Sequence, residues 1–202
     1  PKISFARNRS GLNGTTMLTP EEVSTFRVQG FLPSQPMLSD EETAELCEAC
    51  IRTCGVEWEN PGRRQATNRL KPYLLFRWAA DLVRHPAILD RLEALVGPEI
   101  LCHPTQVVRP RIRDRDYSED RRRTTDLTPW HQDSGFLRPE ADETLIVTAW
   151  IPFTRADEEN GCLQVIPGSH KHGLCRHEDN HIPKDALPPG VPRVLPIDPG
   201  GV

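Results

Sequence analysis

The sequence predicts an α+β domain, on three observations. Two helix-opening signals, Thr19-Pro20-Glu21-Glu22 and Ser39-Asp40-Glu41-Glu42, stand near its start. Short β-branched and aromatic runs, "ILCHPTQVV", "TLIVTAWIPF" and "GCLQVIPGS", all lie beyond residue 98. No βαβ alternation connects the two halves, so the helices are expected to flank a sheet or barrel rather than to cover a parallel one.

The elements follow in order. Residues 1–18 carry no period and read as an extended arm. Thr19 is a natural N-cap, Pro20 suits the first helical position, and Glu22 completes a capping box; the helix should stop at Gly30. The second box, Ser39 to Glu42, opens a helix that Gly55 ends. Residues 56–72 look like a loop. Leu74, Leu75, Trp78, Leu82 and Val83 then form one apolar stripe, and Pro86 restarts a helix that closes at Gly97-Pro98. Between the first strand and the rest, residues 109–126 hold seven arginines against five acids. Charge this dense belongs in solvent, as a mobile loop or as one that closes over an anionic substrate.

Bulk properties narrow the class. A chain of 202 residues can bury one sizeable core, and 37% hydrophobic with 27% charged residues fits a soluble globular protein. No apolar run approaches the roughly 20 residues of a membrane helix. A net charge of -4 with pI near 6.0 argues against a nucleic-acid binder. The chain opens on Pro1 without a signal pattern, as a trimmed or incompletely represented N-terminus would. The six cysteines are expected as reduced thiols in a cytoplasm. Three of them, Cys47, Cys50 and Cys54, share one helix face with Leu46 and Ile51, which suits small buried hydrophobes better than zinc.

Chemistry is concentrated in "TPWHQDSGF", Thr128 to Phe136. With 7 His and 13 Asp in 202 residues, a His-x-Asp triplet arises by chance in roughly four chains in ten, so the triplet alone proves little. If the stretch is extended, period two sends His131 and Asp133 to one face. An imidazole and a carboxylate there are two corners of the 2-His-1-carboxylate triad of non-haem Fe(II). Zinc hydrolases use similar pairs, but the helical His-Glu-x-x-His pattern is absent, as is a Gly-x-Ser-x-Gly nucleophile elbow.

The wider context is more specific. "WHQDSGF", "TLIVTAWIPFTRADEENGCLQVIPGSHKHG", "LTPEEVSTFRVQGFL" and "LVRHPAILDRLEALVGPEIL" together resemble the phytanoyl-CoA dioxygenase family of Fe(II)/2-oxoglutarate-dependent oxygenases, over about residues 18–202. The resemblance implies a single oxygenase domain: a double-stranded β-helix (jelly roll, cupin-like) across 98–202, with the helices of 19–97 packed on one side. It implies His131 and Asp133 as iron ligands and catalytic residues. Gln132 and Trp150 fall where family members contact or line the 2-oxoglutarate pocket, and Gln106 is a further candidate for that pocket. It implies Fe(II) as cofactor, 2-oxoglutarate as co-substrate, and O2 with a small molecule, acyl-CoA or secondary-metabolite-like, as partners; the number of subunits is left open. The outcome would be hydroxylation with release of succinate and CO2. Halogenating relatives lack the carboxylate, so Asp133 points to hydroxylation. Asn160 to His170 reads mainly as structure, with His170 a hydrogen-bonding turn residue.

The family pattern fails in one place. Its third ligand is a distal histidine after a "P-x-x-x-G-x-v" segment, with an arginine beyond that clamps 2-oxoglutarate. Here "VPRVLPIDPGGV" reaches that segment and the sequence stops at Val202. Three readings stand open: the remaining strands lie on a further piece; one of His172, His177 and His181 substitutes; or the protein is a non-catalytic jelly-roll binding or regulatory relative. The stretch 171–192 is polar and proline-rich, which favours a loop with solvated histidines over a ligand strand.

Overall fold

The computed structural model describes residues 17–54, 71–103, 128–136, 145–159, 161–179 and 181–202. Most of the expected arm, Gln106 and the arginine-rich segment 109–126 lie outside the described residues. Helix α1 spans Pro20–Gln29 and α2 spans Asp40–Cys54. Both begin with the anticipated reciprocal boxes. The Glu22 N–H donates to Thr19 Oγ1 at 3.2 Å while the Glu22 carboxylate accepts the Thr19 N–H at 2.8 Å. Ser39 and Glu42 repeat this at 3.1 and 2.8 Å. Gly30 closes α1 with φ of 84°, a left-handed conformation that glycine adopts without a Cβ clash.

The stripe beginning at Leu74 is divided differently from the expectation. A 3-10 turn covers Pro72–Leu74, and α3 begins only at Arg77, running to Leu82. Leu74 and Leu75 are 67% and 60% exposed, so they belong to no buried face. The reason is local: Lys71 is left-handed (φ 54°) and Phe76 is extended, which breaks the helical register before Arg77. Helix α4, Pro86–Val96, starts at the proline as expected and buries Ala87 and Ile88.

The segment 149–153 packs against the helices. Met37, Ala87 and Ile88 form a core cluster against which Leu82, Leu92, Ala149, Ile151 and Val202 pack. Cys50 centres a second cluster with Phe76, Trp78 and Phe153, where Trp78 meets Phe153 edge-on at 6.3 Å. Ala149, Ile151 and Phe153 alternate along the chain, as they do when one face of an extended segment is buried. Cys50 is buried and Cys47 half-buried in α2, and neither is in a disulfide.

The strands are shorter than the sequence suggests. Among the described residues the sheet is a pair, β1 (Leu163–Val165) and β2 (Arg193–Leu195), antiparallel with Gln164 opposite Val194. Residues 100–103 and 145–153 form no ladder there. Beyond β2, Ile197 bridges Ala156, and Gly201 bridges Pro36 between α1 and α2. Among the described residues no helix is long and apolar enough to cross a membrane.

Candidate metal centre

His131 and Asp133 come together. His131 Nε2 lies 3.4 Å from Asp133 Oδ1, with both side chains partly open to solvent. The route differs from a simple strand: Asp133 opens a 3-10 turn, Asp133–Phe136, rather than continuing an extended run. The pair still shares a face because the turn begins only at the second donor.

Each donor is oriented from behind. His131 Nδ1 lies 2.8 Å from the Pro129 carbonyl. A carbonyl only accepts, so Nδ1 carries the hydrogen and Nε2 is left to face Asp133. On the other side, the Thr148 hydroxyl donates to Asp133 Oδ2. One carboxylate oxygen is thereby anchored and the other faces the imidazole. Pairing with Asp133 raises the His131 pKa above its ordinary value, against the opposing effect of partial burial. The hydrogen bond from His131 holds the Asp133 carboxyl below the usual aspartate range, helped by Thr148. A cation between the two donors would take the place of the shared proton.

The donor set fits a divalent first-row metal. Donors about 2.1 Å from one ion and at right angles stand about 3 Å apart, close to the separation seen. Two donors are a partial set. Among the described residues no group of three or more His, Cys, Asp or Glu could hold a metal ion.

The other expected residues divide. Trp150 is half-buried two positions after Thr148, on the parity opposite the core-facing Ala149 and Ile151. Gln132 has both polar atoms of its side-chain amide hydrogen-bonded: Nε2 donates to the Gly173 carbonyl at 2.8 Å, and Oε1 accepts the Cys175 N–H at 2.7 Å. Its polar atoms thus tie the donor segment to a distant loop. Gln106 lies outside the described residues. His170 sits in a 3-10 turn with Nε2 3.1 Å from the Arg27 carbonyl, a structural turn residue as expected. His177 corrects the expectation of solvated loop histidines. It is half-buried, and its Nε2 accepts the Gln132 backbone N–H at 3.1 Å, so that lone pair is already used. Thr148 is the residue that sequence reasoning missed. Its parity with Trp150 was the available signal.

Comparison with known proteins decides the family. Residues 26–186 match the family model described as Phytanoyl-CoA dioxygenase (PhyH). The chain belongs to this family. It is 33% identical over 178 residues to human peroxisomal phytanoyl-CoA dioxygenase, covering 80% of this chain and 50% of that protein. It is 28% identical over 161 residues to the ectoine dioxygenase of Nocardia farcinica, covering 75% of this chain and 51% of the relative. The chain therefore spans about half the length of these curated family members. The solved structure of CytC3 with Fe(II) and alpha-ketoglutarate shares the fold at TM-score 0.58 and 20% identity, over 93% of this chain and 66% of that one.

Proposed function

We propose that this family member acts in an Fe(II)- and 2-oxoglutarate-dependent dioxygenase that hydroxylates a small molecule. The observation that carries the reading is the oriented pair: His131 Nε2 and Asp133 Oδ1 stand 3.4 Å apart, each with its other polar atom hydrogen-bonded. His131 and Asp133 would hold the iron, and a third donor would come from outside the described residues. Bound iron and 2-oxoglutarate supply the oxidising chemistry, in which O2 and the keto acid yield succinate, CO2 and a hydroxylated substrate.

The chain's own residues supply geometry. The Pro129 carbonyl keeps the His131 ring turned with Nε2 forward, and Thr148 keeps one Asp133 oxygen from rotating away. Ala149, Ile151 and Phe153 close the segment against the helices. Period two then leaves Trp150 on the Thr148 side, where it would line the 2-oxoglutarate pocket, with Gln106 as a further candidate for that pocket. A jelly roll completed by further strands would wall this pocket and exclude water. The substrates named for the relatives, a CoA thioester and ectoine, differ in size and charge, so the substrate class proposed stays at the level of a small molecule.

The donor pair is the difference between this reading and a non-catalytic binding module. Succinate formation from 2-oxoglutarate, measured with the full-length protein and added Fe(II), is expected to fall to background in His131→Ala and Asp133→Ala. Undiminished Fe(II)-dependent turnover in Asp133→Ala would remove the assignment.

A further inference from the structure

The donor segment is pinned by a loop 40 or more residues away in sequence. The Trp130 carbonyl accepts the Ile182 N–H at 2.7 Å, and the Gln132 N–H donates to His177 Nε2 at 3.1 Å. The Gln132 carbonyl accepts the Gly135 N–H at 2.9 Å. Each of these groups belongs to a different peptide plane, and peptide planes are rigid. The planes on both sides of His131 are therefore fixed from outside, and so are the two backbone torsions of His131 between them. The next plane, leading into Asp133, is fixed as well. Together they set the direction in which both donor side chains leave the backbone.

His177 is the centre of this arrangement. Its Nδ1–H donates to the Cys175 carbonyl at 2.9 Å, which leaves Nε2 as the acceptor that the Gln132 N–H requires. Gly135 lies directly under the ring: a Cβ there would stand 2.6 Å from Nε2. The Gln132 amide adds two bonds to the same loop, at Gly173 and Cys175. A histidine with Nε2 so occupied is a strut for the donors, not a third donor.

We propose that Gly173 to His177, with Ile182, form a clasp that presets the angle between His131 and Asp133, with His177 as its positioning residue. The proposal rests on the metal-site reading above. His177→Ala leaves the Gln132 N–H without its acceptor and lets that peptide plane turn. His177→Gln brings a carbonyl oxygen close to the position of Nε2. Gly135→Ala displaces the ring, but only while a ring is present.

Anaerobic Co(II) titration of the full-length protein, followed by its visible absorption, tests this. Loss of an orienting partner costs about 10–100-fold in metal affinity. His177→Ala is expected to weaken Co(II) binding by that order and to alter the band shape, and His177→Gln to restore most of it. Gly135→Ala is expected to weaken binding in the wild-type background and to have no further effect alongside His177→Ala. Wild-type affinity in His177→Ala, with binding lost in Asp133→Ala, overturns the clasp alone. Equal binding by wild type and Asp133→Ala overturns the site assignment and the clasp with it. A readout independent of any variant is the 15N–15N coupling across the hydrogen bond from the Gln132 amide to His177 Nε2. Its presence is expected, and its absence overturns the clasp.

Discussion

Helices α1 and α2 and the donor segment 130–135 are held by bonds of different reach. Each of the two helices starts on a capping box closed within three residues, Thr19 with Glu22 and Ser39 with Glu42. The donors are oriented across 15 residues by Thr148 and, through Gln132, across 45 by His177. In the first case a lost contact costs stability in one helix. In the second, a lost contact leaves a donor side chain less firmly oriented and spares most of the fold. Stability and site geometry are thus carried by separate sets of residues, and substitutions should affect them separately.

The largest expected effect on stability lies in the helical core. Ile88, on α4, is 4% exposed in the cluster against which Ala149 and Ile151 pack. Ile88→Ala should cost about 2–5 kcal/mol in urea unfolding. Metal affinity measured on the folded fraction should stay unchanged; a parallel loss would show that core and site are not separable. Thr148→Val reverses the pattern. It keeps the shape and removes the hydroxyl that holds Asp133 Oδ2, so metal affinity should fall about 10–100-fold. Its stability change should stay within about 1 kcal/mol, because Thr148 is exposed.

The smallest effect concerns acid. The carboxyls of Glu22 and Glu42 are held below their ordinary value of 4.5, chiefly by the backbone N–H of Thr19 and of Ser39. A depressed folded-state pKa stabilises the fold above the unfolded value and loses that contribution as pH falls through the folded one. The stability difference between wild type and the Glu22→Gln/Glu42→Gln variant should therefore be full at neutral pH and shrink below about pH 4.5. A difference that persists at lower pH would mean that the amides do not replace the carboxylates for a reason other than charge.

The same contrast in reach governs what the sequence discloses. Thr19, Ser39, Gly30 and Pro86 act on neighbours in the chain, so α1, α2 and α4 were legible. The start of α3 was misplaced because the left-handed Lys71 and extended Phe76 leave no mark in apolar periodicity. Strand β2 is three residues between Pro192 and Pro196, too short for a pattern, and exists by pairing with β1. His131 and Asp133 were legible because two residues of spacing suffice to bring them together. The hydroxyl of Thr148 and the ring of His177 were not, because nothing local says which distant group a polar residue will meet. The same holds for the Gln132 amide, whose partners at Gly173 and Cys175 lie more than 40 residues away.

The central claim is that His131 and Asp133 form two corners of an iron site that also admits 2-oxoglutarate. Anaerobic titration of the full-length protein with Fe(II) and 2-oxoglutarate, followed by visible absorption, tests it most directly. A saturable charge-transfer band is expected in wild type that requires both additions and is missing in Asp133→Ala. A wild-type protein without the band, or a band of equal intensity in Asp133→Ala, would contradict it.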